Sequence, residues 1–130
     1  MVDFMVQTSG RTDFVRITEQ VQRAVAELGV TDGAVLVWVP HTTAGVTVNE
    51  GADPDVVRDM ATILDRVVPW TGGYRHAEGN SAAHVKSSLV GCAQLLPVRD
   101  GRLALGTWQT VWFCEFDGPR RRRVEVSSLG

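Results

Sequence analysis

The stretch GAVLVWVPHTTAGVTVNEGADPD (residues 33–55) carries two strand signals in succession before a helix start. Ala34 to Val39 is a continuous apolar run, as expected of a strand buried on both faces, and Pro40 ends it. Val46 and Val48 then alternate with Thr47 and Asn49, which has the period of another strand. Asp53-Pro54 supplies an N-cap side chain and a first helical residue with its φ already set. Val56, Val57, Met60, Ile63, Leu64 and Val67 mark the stripe of that helix, and Pro69 stops it. Strands that pair off before a helix, rather than alternating singly with one, favour α+β with a mainly antiparallel sheet over a Rossmann arrangement.

The same order appears upstream. Val2 to Thr8 and Phe14 to Ile17 read as strands, and Thr18 then caps a helix. Its apolar positions Val21, Ala24, Val25 and Leu28 follow helical spacing, with Gly29 as the stop. Downstream, Asn80 caps a short helix running to Val90, with Gly91 at its end. Ala93 to Val98 and Leu103 to Phe116 flank the hairpin signal Arg99-Asp100-Gly101-Arg102. After Gly118-Pro119 a last strand alternates, with the Arg120 to Arg123 run read as a solvated strand edge. The expectation is seven strands with two or three helices.

Composition narrows the class. A chain of 130 residues, 44% hydrophobic and 22% charged, fits one domain spanning 1–130 that buries roughly two thirds of its surface. Thirteen basic against fifteen acidic side chains leave a charge of −2, which argues against a nucleic-acid binder. No apolar run approaches the roughly 18 residues of a membrane span. The first residues lack the basic-then-apolar pattern of a signal peptide, and Cys92 and Cys114 are too few for a disulfide framework. Both features make the cytoplasm the expected location. No glycine-rich phosphate loop follows a strand, and no GxSxG elbow is present.

Three polar clusters break the apolar pattern. His41-Thr42-Thr43-Ala44-Gly45 leads to Glu50, which is either a partner for the next helix start or a site acid. His76-Ala77-Glu78-Gly79-Asn80 leads to His84, in the first turn of a helix whose N–H groups favour an anion. Lys86, the only lysine, lies two residues on and on a different side. Gly106-Thr107-Trp108-Gln109 places a glycine and an amide inside an apolar strand. His41, His76 and His84 also satisfy the inventory for a divalent metal such as zinc or magnesium, although their separations match no compact zinc motif.

Together these clusters resemble the YjbQ family. The matching stretches are HTTAGVTVNEGADPD (41–55), HAEGNSAAHVKSSLVG (76–91) and GRLALGTWQTVWFCEFDGPRRR (101–122). The resemblance implies a two-sheet α+β sandwich, assembly as a homotrimer, and a site at His41, Glu50, His76, Asn80, His84 and Gln109. It also implies a weak, secondary thiamine-phosphate synthase activity. On that reading His41, Glu50, His84 and Gln109 are the catalytic candidates, while Asn80, Lys86 and Thr107 contact a phosphorylated substrate. Ser81-Ala82-Ala83 stands where family members often carry a further histidine, so that role is vacant or reassigned here. A metal-dependent hydrolase and a non-enzymatic trimer binding a small anion are the alternatives.

Overall fold

A computed structural model describes residues 1–129. Its elements run β1 (Val2–Gln7), β2 (Asp13–Arg16), α1 (Thr18–Leu28), β3 (Gly33–Trp38), β4 (Ala44–Glu50), α2 (Pro54–Val67), α3 (Ser81–Val90), β5 (Ala93–Arg99), β6 (Arg102–Leu103), β7 (Gln109–Glu115) and β8 (Arg121–Leu129). They form two antiparallel sheets, ordered β1-β8-β3-β5-β6 and β2-β7-β4. The α+β sandwich expected from the sequence is what is observed.

The core lies between the sheets. Val35, Val37, Val124, Val126, Leu96 and Val98 point inward from the first, and Val46, Val111 and Phe113 from the second. Val21, Ala24 and Val25 of α1 complete it, at the spacing the sequence shows. The outer face of the smaller sheet, with Trp112, Cys114 and Phe116, is covered by Ala83 of α3 and by Val57 and Leu64 of α2. Helix termini follow the local chemistry in part. Asp53 accepts from the Asp55 N–H at 2.9 Å, and Gly29 closes α1 in the left-handed region at φ 68°. Thr18 does not cap: α1 begins with it, and its hydroxyl accepts from the Val111 N–H at 2.9 Å, tying the helix start to β7.

Three expectations are corrected. The strand count is eight among the described residues, because Leu103 to Phe116 is not one strand. β6 ends after Leu103, residues 104–108 leave the first sheet, and β7 begins in the second. The turn is closed by Gln109, whose backbone N–H donates to the Gly106 carbonyl at 3.1 Å and whose Oε1 accepts from the Gly106 N–H at 2.7 Å. The apolar run continues through the break because both sheets face one core.

The second correction concerns β3, which is buried on one face only. Val35 and Val37 are sealed, Leu36 is half-buried and Trp38 is 41% exposed. Third, the arginine run is no strand edge, since β8 lies between β1 and β3. Alternation turns Arg122 into the core and leaves Arg121 and Arg123 outside.

Arg122 meets Glu115, and both are almost fully buried. Its Nε donates to Glu115 Oε1 at 2.8 Å and its Nη2 to Oε2 at 2.5 Å and to the Thr43 hydroxyl at 2.8 Å. Glu115 also accepts from the Thr8 hydroxyl at 2.8 Å and from the Asp117 N–H at 3.0 Å. Burial alone pushes this carboxyl up, but the donations from Arg122, the Asp117 N–H and Thr8 outweigh it and hold the group below the usual carboxylate range. Replacing Glu115 by Ala strands a buried guanidinium, so the variant is expected to lose roughly 3–5 kcal/mol in urea denaturation. A loss under about 1 kcal/mol, the range of an exposed pair, refutes that account.

Candidate functional site

Pro40 ends β3, and the chain turns through His41 and Thr43 before β4 begins. On the neighbouring wall the loop from α2 delivers His76, and α3 starts at Asn80. His41, His76, Asn80 and His84 thereby line one cavity of about 700 Å³, backed by Asp117 and Arg120 from the β7–β8 connection and by Arg122 of β8. These four groups come from two stretches that are 35 residues apart (76 − 41), and the fold brings them together.

Each side chain is held differently. His41 Nε2 accepts the Arg123 backbone N–H at 2.9 Å, which occupies its lone pair and leaves Nδ1 to carry the ring proton. Burial, and then the nearby Arg122 charge, push the His41 pKa below its ordinary 6.5. His41 is therefore a neutral hydrogen-bond donor near pH 7. His76 and His84 meet edge to face, with ring centroids 5.5 Å apart. Glu78 Oε1 lies 4.0 Å from His76 Nε2. Asn80 occupies the N-cap position of α3 without capping it, since its Nδ2 donates to Asp117 Oδ2 at 2.8 Å. Arg120 shares that carboxylate at 3.1 Å. The cavity's two arginines are thus both paired with acids, which tempers its positive character.

The other candidates lie elsewhere. Seven strand residues separate the ends of β4, and at about 3.3 Å each they hold Glu50 roughly 20 Å from the His41 end. Glu50 Oε2 folds back to accept from the Ala52 N–H at 2.9 Å, just ahead of α2. Gln109 pairs with Glu50 across the ladder and spends its amide on the Gly106 turn, beside the exposed Thr107. Lys86 faces away from His84 and is buried against Asp65 of α2. That pair fastens two helices together. Asp117, Arg120 and Arg122 are the cavity residues that sequence reasoning passed over; the only signal was the FDGPRRR run itself.

The donor set does not fit a divalent cation well. Among the described residues no three His, Cys, Asp or Glu side chains group closely enough to hold one. Two imidazoles touch, but His41 has given its Nε2 to the backbone.

A family model described as "UPF0047 protein YjbQ-like" matches residues 2–130. The chain belongs to the YjbQ family. It is 51% identical over 126 residues to the UPF0047 protein YugU of Bacillus subtilis, with 96% of each chain covered. A UPF0047 protein of Methanocaldococcus jannaschii is 47% identical, across 98% of this chain and 92% of that one. Among solved structures, an uncharacterised YjbQ/UPF0047 protein from Clostridium acetobutylicum superposes with a TM-score of 0.97 at 50% identity, covering 99% and 100% of the two chains. A conserved hypothetical protein from Thermus thermophilus gives 0.92 at 48%, with the same coverage. Both solved structures share the fold end to end.

His41 generates a pH dependence whose sign is fixed. Its folded pKa lies below the unfolded value, so the unfolded chain takes up the proton first as pH falls. The stability it contributes is complete above about pH 6.5 and is lost as pH drops towards the folded value. Thermal unfolding followed from pH 7.5 to 5.5 should therefore fall less steeply in His41→Gln than in the parent protein. Equal slopes remove His41 as the titrating group.

Proposed function

We propose that the cavity at the start of α3 binds a phosphorylated small molecule, and that transfer of the thiamine-phosphate synthase type is the reaction to seek there. The observation that carries this is one cavity lined by all three histidines and Asn80, at the start of a helix that has no side-chain cap and no acidic residue in its first turn. Helix N–H groups left without partners attract negative charge. In the synthase reaction a methylene–oxygen bond to diphosphate breaks as the thiazole nitrogen supplies the pair for a new bond, and charge gathers on the departing diphosphate. His76, His84 and the start of α3 are the groups that would offset that charge. His41 contributes a fixed donor.

The proposed unit is a cytoplasmic homotrimer. Both cysteines are free, in keeping with a reducing compartment, and among the described residues no helix is long and apolar enough to cross a membrane. Apolar surface supports assembly. Trp38 and Leu95, 41% and 61% exposed, stand on the outer face of the larger sheet, and Ile63 and Val67 of α2 are more than half exposed. α2 buries no residue completely.

Two measurements decide. In a thermal screen of phosphates, nucleotides and thiamine precursors, phosphorylated compounds should raise the melting temperature of the parent and shift His84→Ala much less. Product assays should find thiamine phosphate above the His84→Ala control. No shift with any compound refutes the binding reading, whereas a shift without product refutes only the synthase. Light scattering should return the mass of three chains; a monomer at working concentration refutes the trimer.

A further inference from the structure

Resting on that reading of the cavity, we infer that Arg120 and Arg122 form its anion seat and select a phosphoryl group over a carboxylate. Arg122 is only 3% exposed. Its Nε donates to Glu115 Oε1, and its Nη2 to Glu115 Oε2 and to the Thr43 hydroxyl. Those bonds occupy one edge of the guanidinium and leave both hydrogens of Nη1 without a partner among the described residues. Nη1 is nevertheless not shut in. Among the described residues not themselves exposed, the one sealed side-chain nitrogen or oxygen that lacks a hydrogen bond is Asn80 Oδ1, so Nη1 has an opening. Arg122 and Thr43, the acceptor of its Nη2, both line the cavity, and that is the space Nη1 meets.

Arg120 reaches the same cavity from the β7–β8 connection, with its side chain half exposed. Its Nε donates to the Asp117 carbonyl at 3.0 Å and its Nη2 to Asp117 Oδ2 at 3.1 Å. Asp117 is itself held by Asn80 Nδ2 at 2.8 Å, and the Arg120 N–H donates to the Thr8 hydroxyl at 2.9 Å. One edge of this guanidinium is therefore an anchor. The other edge, Nη1 with the second hydrogen of Nη2, is free to donate to a ligand. Arg121, between the two arginines, stands on the exposed side of β8.

Each of the two cations already has an acid, so the pair offers a ligand aimed N–H groups rather than surplus charge. Hydrogen bonds from a guanidinium to an oxyanion are charge-assisted and roughly twice as strong as neutral ones. A charged donor left unmatched in a buried side chain is correspondingly costly, and Nη1 of Arg122 is such a donor. A carboxylate has two oxygens, and a guanidinium fork takes both. Bound so to Arg120, it has no further oxygen for Arg122. A phosphoryl group carries three terminal oxygens in a tetrahedral arrangement. Two fill the Arg120 fork while the third turns to Nη1 of Arg122.

Calorimetric titration of the full chain at pH 7 and constant ionic strength compares inorganic phosphate with acetate. Phosphate should bind at least about ten-fold tighter, the order expected from one more charge-assisted hydrogen bond. Arg120→Gln should weaken phosphate by at least about ten-fold for the same reason. Arg121→Gln removes the same charge one residue away on the exposed side, and should stay within about two-fold of the parent because salt screens a distant charge. If circular dichroism shows Arg120→Gln unfolded, the ratio of phosphate to acetate in the parent protein decides alone. The inference is overturned by acetate bound as tightly as phosphate, by an Arg120→Gln loss no larger than that of Arg121→Gln, or by no phosphate binding at all. In any of those cases a melting-temperature rise with phosphorylated metabolites leaves the cavity reading standing, and its absence removes both.

Discussion

The buried pair of Arg122 and Glu115 is the constraint on which the cavity's geometry depends. It gathers the end of β1 through Thr8, the β3–β4 connection through Thr43, the end of β7 and the start of β8. Removing two charges from water is costly, and such a pair is tolerated only when nearly every donor and acceptor is matched. Here they are: the guanidinium reaches two carboxylate oxygens and a threonine, and the carboxylate takes a hydroxyl and an N–H as well. An apolar core of the same size would hold the sheets together but would not dictate which loop faces which. The pair also bears on chemistry, because the Arg122 charge is among the causes that keep the His41 imidazole neutral.

At the opposite end of β4, a second set of polar residues ties three elements together. Arg16 reaches the Gly51 carbonyl and the Thr110 hydroxyl, and its guanidinium lies 4.9 Å from the Trp112 ring centre. The Trp112 indole N–H donates to the Glu50 carbonyl at 3.0 Å. A Cβ at Gly51 would come within 1.9 Å of the Thr110 hydroxyl, so only glycine fits. Resemblance grouped Glu50 and Gln109 with the histidines because all sit in recognisable stretches. Within one chain the strand between them keeps the two groups apart.

Local chemistry made much of this legible. The caps at Asp53 and Gly29, the stripe of α1 and the succession of strands before helices are all short-range effects, so 130 letters contain them. The meeting of His41 with His76, Asn80 and His84 was legible only as a list of polar interruptions. What failed was non-local. An apolar run does not reveal that residues 104–108 pass from one sheet to the other, because the pattern reports burial and not the neighbour. Sequence reading assigns Lys86 to a phosphorylated substrate and Arg122 to a solvated strand edge, since charged side chains are usually exposed. Each is buried because an acid on another element waits for it, Asp65 of α2 for Lys86 and Glu115 of β7 for Arg122.

The attachment of α3 has a consequence for the entropy of recognition. Its second half is fastened to β4: the Ser87 hydroxyl donates to the Ala44 carbonyl at 2.6 Å, and the Val46 N–H donates to the Gly91 carbonyl at 3.0 Å. Gly45 lies so close beneath that an added Cβ would meet the Gly91 oxygen at 2.5 Å. The helix is thus a strut seated on a strand, with its free end turned to the cavity. A ligand arriving there finds His84 and Asn80 already in place and spends little freedom on arranging them. Residues 71–79, which bring in His76, are exposed throughout. On the proposed reading, ordering on binding would concentrate in this one loop, and its residues other than His76 are where affinity could be tuned without touching the chemistry.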